Sequence, residues 1–275
     1  MEIIHLNEEN LESWQNRSRR NVIALGFFDG VHKGHQKVIG TAAEAAEKAG
    51  AALDVMSFFP HPKTVLSNGK KQVEYLMPLE EKARILEGMG VDRLYIVKFT
   101  KAFASLAPED YVAEYLSKFD TIHAVAGYDF SYGFRGEGTI DRLYADSGFR
   151  ITTSKVEKVE HTGEKISSTR IRTAILDGKV SELYQMLGRR YRTCAECSDG
   201  HLSLKDYYML PQDGIYDVII DNGVSRYRTQ IYVDSAQQRI TFTKHCLMDH
   251  INQQEIAITW ERRVASHSFY QLVAQ

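Results

Sequence analysis

Between residues 22 and 187 the sequence alternates short apolar runs with stretches of helical character, and few folds are open to a chain with that rhythm. Val22–Gly26, Leu53–Phe58, Leu94–Val97, Ile122–Ala126 and Ile151–Thr153 read as buried strands. Between them, Gly34–Lys48 is alanine-rich and stops before Gly50, a natural helix C-cap. Leu79–Met89 sets Leu79, Ala83 and Leu86 at helical spacing, and Pro108 opens a helix ending near Lys118. Strands joined through helices imply right-handed crossovers and a parallel sheet, so the expected fold is a Rossmann-like α/β domain. Such sheets bind ligands beyond the carboxyl ends of their strands. Function is therefore to be sought just after each strand.

Past Leu187 the texture changes. Tyr216–Ile220, Tyr227–Val233, Arg239–Thr243 and Glu255–Trp260 are β-branched and aromatic runs separated by turn material such as Asp221-Asn222-Gly223. We expect a domain boundary near Gly188, with residues 1–187 forming the α/β domain and 188–275 a smaller antiparallel β-barrel-like domain. A length of 275 residues fits two domains, and 43% hydrophobic residues suffice for their cores. The formal net charge of −2 supplies no basic field, so general nucleic-acid binding is not expected. The N-terminus lacks the pattern of a signal peptide, and no apolar run approaches the roughly 18 residues of a membrane span, so a cytoplasmic protein is expected. Nothing in the sequence speaks to oligomeric state. Three cysteines, an odd number, argue against a disulfide framework. Cys194 and Cys197 form a C-x-x-C with His245, Cys246 and His250 downstream, but adjacent His245 and Cys246 depart from zinc-ligand spacing. Ordinary thiols are the better reading.

The strongest local signal runs Gly26-Phe27-Phe28-Asp29-Gly30-Val31-His32-Lys33-Gly34-His35, after the first of these strands and into the first helix. A helix N-terminus offers unpaired N–H groups and partial positive charge to a polyphosphate. Gly26, Gly30 and Gly34 let backbone and ligand approach closely. His32 and His35, three residues apart, can face one side of the first turn and donate to phosphate oxygens as charge builds. A second signal, Ile166-Ser167-Ser168-Thr169-Arg170-Ile171-Arg172, sets hydroxyls and N–H groups at another helix start, with Arg172 as a bidentate partner for phosphate. Both are expected to address one triphosphate. Gly127-Tyr128-Asp129-Phe130-Ser131-Tyr132-Gly133 puts a carboxylate between aromatics at a strand end, and Phe58-Phe59-Pro60-His61-Pro62 forms a stiff loop suited to an apolar pocket wall.

Together these pieces suit nucleotidyl transfer to a phosphate nucleophile. Such a nucleophile is already ionised at neutral pH and needs no strong general base. The work lies in positioning two anions and stabilising charge at the reacting phosphorus.

With these blocks in view, the chain resembles the bacterial FAD synthetases, the riboflavin kinase/FMN adenylyltransferase family. GFFDGVHKGH, FFPHP, GYDFSYG and ISSTRIRTAI follow in the family's order over about residues 1–187. The resemblance implies that FMN and ATP with Mg²⁺ give FAD and pyrophosphate. It implies His32, His35, Ser168 and Arg172 as catalytic residues; Gly26, Phe27, Asp29, Gly30, Gly34 and Thr169 as ATP-binding; and Phe58, His61, Asp129 and Phe130 as flavin-binding. No protein-bound metal ligand is implied. Tyr132 stands where many relatives have Phe. A larger departure lies in the second domain. Leu187-Gly188-Arg189-Arg190-Tyr191 and Pro211-Gln212-Asp213-Gly214-Ile215-Tyr216 match the kinase barrel, and Glu261 could stand where its catalytic base sits, yet Thr193–Met209 contains no GFPTAN-like segment. A degenerate barrel without riboflavin kinase activity is expected. The alternatives are a bifunctional enzyme, transfer to a non-flavin phosphate, and a flavin-sensing regulatory protein.

Overall fold

A computed structural model describes residues 1–198, 201–243 and 255–265. They fall into two compact units: Met1–Val73 with Leu79–Val159, and Glu74–Pro78 with the described residues from Glu160 onward.

The first unit runs β1 (Glu2–Leu6), α1 (Leu11–Gln15), β2 (Asn21–Leu25), α2 (Lys33–Ala49), β3 (Ala52–Phe59), α3 (Pro62–Leu66), α4 (Leu79–Gly88), β4 (Arg93–Lys98), α5 (Pro108–Tyr115), β5 (Thr121–Gly127), the short strands β6 (Ser131–Tyr132) and β7 (Gly138–Thr139), α6 (Ile140–Asp146) and β8 (Thr152–Val156). Six strands form one parallel sheet in the order β1-β4-β3-β2-β5-β8. Every residue of β2 is buried, as a central parallel strand covered on both faces must be. From β2 the chain builds outward through β3 and β4 on one side and through β5 and β8 on the other. The order therefore reverses beside β2. In such sheets ligands bind at that reversal, at the carboxyl ends of the strands. The loops leaving β2 and β5 are the glycine–histidine motif and the Gly127–Gly133 motif, so topology alone puts both beside the crevice.

One face of the sheet carries a core of Ile23, Leu25, Met56, Tyr95 and Val97 against Tyr111, Val112 and Tyr115 of α5 and Ile140 and Leu143 of α6. Helix α2 buries Val38, Ile39, Ala42 and Ala46 and ends where expected: Gly50 adopts φ 57° and its N–H returns to the carbonyls of Ala46 and Glu47.

The second unit contains the hairpin β9 (Glu160–His161) and β10 (Glu164–Lys165), then α7 (Ser168–Leu176) and α8 (Leu183–Leu187), and a closed barrel. The barrel strands are β11 (Arg192–Ser198), β12 (His201–Leu204), β13 (Gly214–Asp221), β14 (Arg226–Asp234), β15 (Arg239–Phe242) and β16 (Glu255–Ala265), closed in the order β11-β12-β15-β14-β13-β16. The Asp221-Asn222-Gly223 turn joins β13 to β14, with Gly223 at φ 84°. Trp260 and Tyr216 fill the interior edge to face at 5.3 Å, and the Trp260 indole N–H donates to buried Thr193 Oγ1 at 3.0 Å. Compactness thus groups residues 160–187 with the barrel, whereas the change from helical to β texture falls at 188.

Candidate active site

The glycine–histidine loop is tightly built. A Cβ on Gly26 would lie 2.9 Å from the Phe28 ring, so glycine is required there by packing. Gly30 takes φ 80°, and the loop also holds Phe28 at φ 53° and Val31 at φ 36°. Positive φ is unfavourable for both residues and most for β-branched valine, at about 1–3 kcal/mol each. Burial of both side chains and the Val31 N–H bond to the Phe28 carbonyl hold that conformation in place.

The loop delivers His32 as the N-cap of α2. Its ring Nδ1 accepts the His35 backbone N–H at 3.2 Å. Nδ1 acts as an acceptor, so the ring proton resides on Nε2, the nitrogen that can donate to an anion. The His35 imidazole stacks on that of His32, with centroids 3.6 Å apart and planes 17° from parallel, and the Phe28 ring meets His35 edge-on at 5.3 Å. Two imidazoles are thereby ordered over the positive end of a 17-residue helix.

Sequence reasoning missed Lys82. Although charged, it is only 6% exposed in the first turn of α4. Its Nζ donates to the Phe27 carbonyl at 3.0 Å and to Ser57 Oγ at 3.3 Å, and Ser57 Oγ donates to the same carbonyl at 2.8 Å. The ammonium also lies 5.1 Å from the centroid of the Phe27 ring. Burial pushes its pKa down to about 8, opposed by the charge of Asp29. Asp29 is itself 1% exposed. Its carboxylate is thus an internal group that balances Lys82.

The remaining motifs of this unit divide by burial. His61 caps α3 through Nδ1, which accepts the Lys63 N–H at 3.0 Å, and its ring meets Phe27 at 4.3 Å. Phe58 is 8% exposed and packs against Phe99 and Phe103, whereas neighbouring Phe59 is 42% exposed. Phe59 is exposed because it is the last residue of β3, beyond the six buried positions before it. Asp129 is exposed beside Gly127, and Phe130 packs partly on the core. Tyr132 is buried against Tyr111, with ring centroids 5.0 Å apart. Its hydroxyl donates to Asp146 at 2.6 Å, and burial together with that carboxylate raises its pKa.

In the second unit Ser167, not Ser168, is the N-cap of α7, its hydroxyl accepting the Arg170 N–H at 3.2 Å. Ser168 and Thr169 therefore occupy the first helical turn. Arg170 is tied to the hairpin through the carbonyls of His161 and Glu164. Arg172 Nε donates to the Glu74 carbonyl at 2.6 Å. Glu261 Oε1 accepts Arg228 at 3.1 Å and lies 3.8 Å from Arg190. Cys194 and Cys197 sit three residues apart on β11, Cys194 half-buried and Cys197 buried, on opposite faces of the strand. One metal cannot take both thiols across a strand. His245, Cys246 and His250 lie outside the described residues. Among those described, no group of three His, Cys, Asp or Glu side chains could hold a metal ion, and no helix is long and apolar enough to cross a membrane.

Comparison with known proteins extends this picture. The family model for FAD synthetase matches residues 14–170. The chain is 36% identical over 268 residues to the bifunctional riboflavin kinase/FMN adenylyltransferase of Bacillus subtilis, spanning 90% of this chain and 85% of that protein. It is 34% identical over 208 residues to an FAD synthetase of Listeria monocytogenes, spanning 75% and 83%. A crystal structure described as a macrolide-efflux protein from Streptococcus pneumoniae matches with a TM-score of 0.86 and 29% identity, over 100% of this chain and 96% of that one.

Proposed function

This chain belongs to the FAD synthetase family, and we propose that it joins AMP from ATP to the phosphate of FMN, releasing pyrophosphate, without phosphorylating riboflavin. The observation that carries this reading is the pair of stacked imidazoles capping α2 beside the strand-order reversal.

An oxygen of the FMN phosphate attacks the α-phosphorus of ATP, a P–O bond forms, and the bond to the β-phosphate oxygen breaks with pyrophosphate leaving. No proton must be removed from the nucleophile. His32, through Nε2–H, and His35 stabilise charge on the phosphate oxygens as the bond to pyrophosphate breaks. Gly26, Phe27, Gly30 and Gly34 supply the close backbone approach, and Asp29 holds the loop from within. Ser168, Thr169 and Arg172 hold the triphosphate through hydroxyls, N–H groups and the guanidinium. Asp129 orients the substrates, and His61 and Phe130 face flavin with Phe58 backing that wall. With ATP bound, Mg²⁺ would supply neutralisation of charge on the triphosphate, and no side chain of this chain is assigned to hold it. The reaction belongs to the cytoplasm, where ATP is supplied.

The single-activity reading rests on the barrel. It lacks a GFPTAN-like stretch over Thr193–Met209, and Tyr191 closes that segment by donating to the Met209 carbonyl while accepting its N–H. Glu261 is engaged by arginine instead of standing open to a substrate hydroxyl. Flavins separated by chromatography after incubation with ATP and Mg²⁺ test both halves: FMN is expected to become FAD, and riboflavin to stay unchanged. FMN accumulating from riboflavin would make the protein bifunctional, and failure to convert FMN would remove the assignment.

A further inference from the structure

We propose that the Lys82 ammonium is a positioning group for adenylyl transfer, fixing from inside the protein the left-handed loop that ends in His32. The proposal rests on the adenylyltransferase reading and adds a residue that no motif contains.

Surface lysines keep their charge in water, whereas Lys82 gives up almost all of its hydration. A buried ammonium needs defined partners, and here they converge on one short stretch of chain. The Phe27 carbonyl receives both Nζ and Ser57 Oγ. This carbonyl immediately precedes Phe28, the first of the two non-glycine residues held at positive φ. Asp29, one residue further on, supplies the opposing charge. The Phe27 ring lies by the ammonium and also meets the His61 ring. Lys82 thus grips the residues on either side of Phe28, on the path from β2 to the His32 cap. A few tenths of an ångström of slack in this loop would be passed to the capping imidazole and to the His35 ring stacked on it. Lys82 touches no reacting atom in this scheme; it acts through the loop. Its energetic role differs from that of a packing residue, because a methylene chain alone would fill the same space.

Two variants separate these roles. Lys82→Met keeps the length and apolar volume of the side chain, and Lys82→Gln keeps a neutral donor. FAD formation from FMN and ATP, ATP affinity by calorimetry, and thermal melting are measured for the full chain and both variants. The expected result is melting within a few degrees of the parent, kcat lower by about tenfold or more in Lys82→Met and by less in Lys82→Gln, ATP binding weakened, and KM for FMN within about twofold. A folded variant of either kind with parental kcat overturns the proposal. So does a loss expressed entirely in KM for FMN, or one that tracks melting temperature across both variants. Should Lys82→Met fail to fold, Lys82→Gln decides by the same criteria. If the parent protein makes no FAD, the functional reading fails first, visibly and separately from any effect of Lys82.

Discussion

His32 caps α2 with one nitrogen, and the proposed reaction gives the other a separate role, so the two can be tested apart. Nδ1 caps α2, and Nε2 is assigned to the triphosphate. Asparagine is a good N-cap but cannot reach as far, so His32→Asn should keep the melting temperature while lowering kcat by about 10²-fold, as for a lost transition-state donor. Steady-state kinetics beside a melting curve checks this, and a near-parental rate would remove His32 from the chemistry. Asp54 makes a different prediction. It is fully buried on β3, and burial raises its pKa from 3.8 to about 7, against the lowering pull of the Arg19 and Arg93 charges. Between those two values the folded form binds a proton that the unfolded chain has released. Stability from this group is therefore full at acid pH and is lost as pH rises through 7, by on the order of a few kcal/mol. Asp54→Asn should raise the melting temperature relative to the parent more at pH 8 than at pH 5. An equal difference at both pH values would contradict the assignment.

At the level of elements, the β6–β7 hairpin shows how one hydroxyl changes local requirements. Tyr132 sends its hydroxyl to Asp146, which Arg142 also holds at 2.8 Å, and a Cβ on Gly138 would collide with the Tyr132 ring. Tyr132→Phe should lower stability by about 1 kcal/mol through the lost bond, whereas Gly138→Ala should lower it by several, since ring and backbone cannot both stay in place. Denaturant unfolding of the two variants measures the contrast, and equal effects would contradict it. The elements also show what could be read in advance. Strands β2, β3, β4 and β5 were legible because central parallel strands carry largely apolar runs. Strand β1 was not: at the sheet edge only Ile4 and Leu6 are buried, so Glu2–Leu6 has no continuous apolar run. Strand β11 alternates burial through Arg192, Cys194 and Glu196, which masks it in the same way. The paired histidines at the start of α2 were legible from spacing. Lys82 was not, because a lysine in Glu80-Glu81-Lys82-Ala83-Arg84 reads as part of a solvated face until α4 packs. Phe58 and Phe59 could not be told apart either, since position along β3, not residue type, decides which ring is covered.

At the scale of the whole molecule, the barrel strands pair around a closed ring. Trp260 is buried against Tyr216 in the barrel interior, so Trp260→Phe, which leaves a void and deprives Thr193 Oγ1 of its indole donor, should cost about 2–4 kcal/mol and leave FAD formation by the folded protein intact. Melting and a parallel FAD assay would check this, and loss of the FAD reaction at unchanged stability would give the barrel a direct catalytic part. The division of the chain has a practical consequence of its own. Residues 74–78 leave the first unit, take the Arg172 bond on the Glu74 carbonyl and the Tyr75 ring against Tyr207 at 5.3 Å, and then return to begin α4. A scissor cut at 159 would strip that pentapeptide of the arginine and the tyrosine that seat it, directly before the helix bearing Lys82. Anyone hoping to trim the chain to a minimal flavin-coupling tool should therefore leave the tail attached, since the same cut also removes Ser168, Thr169 and Arg172.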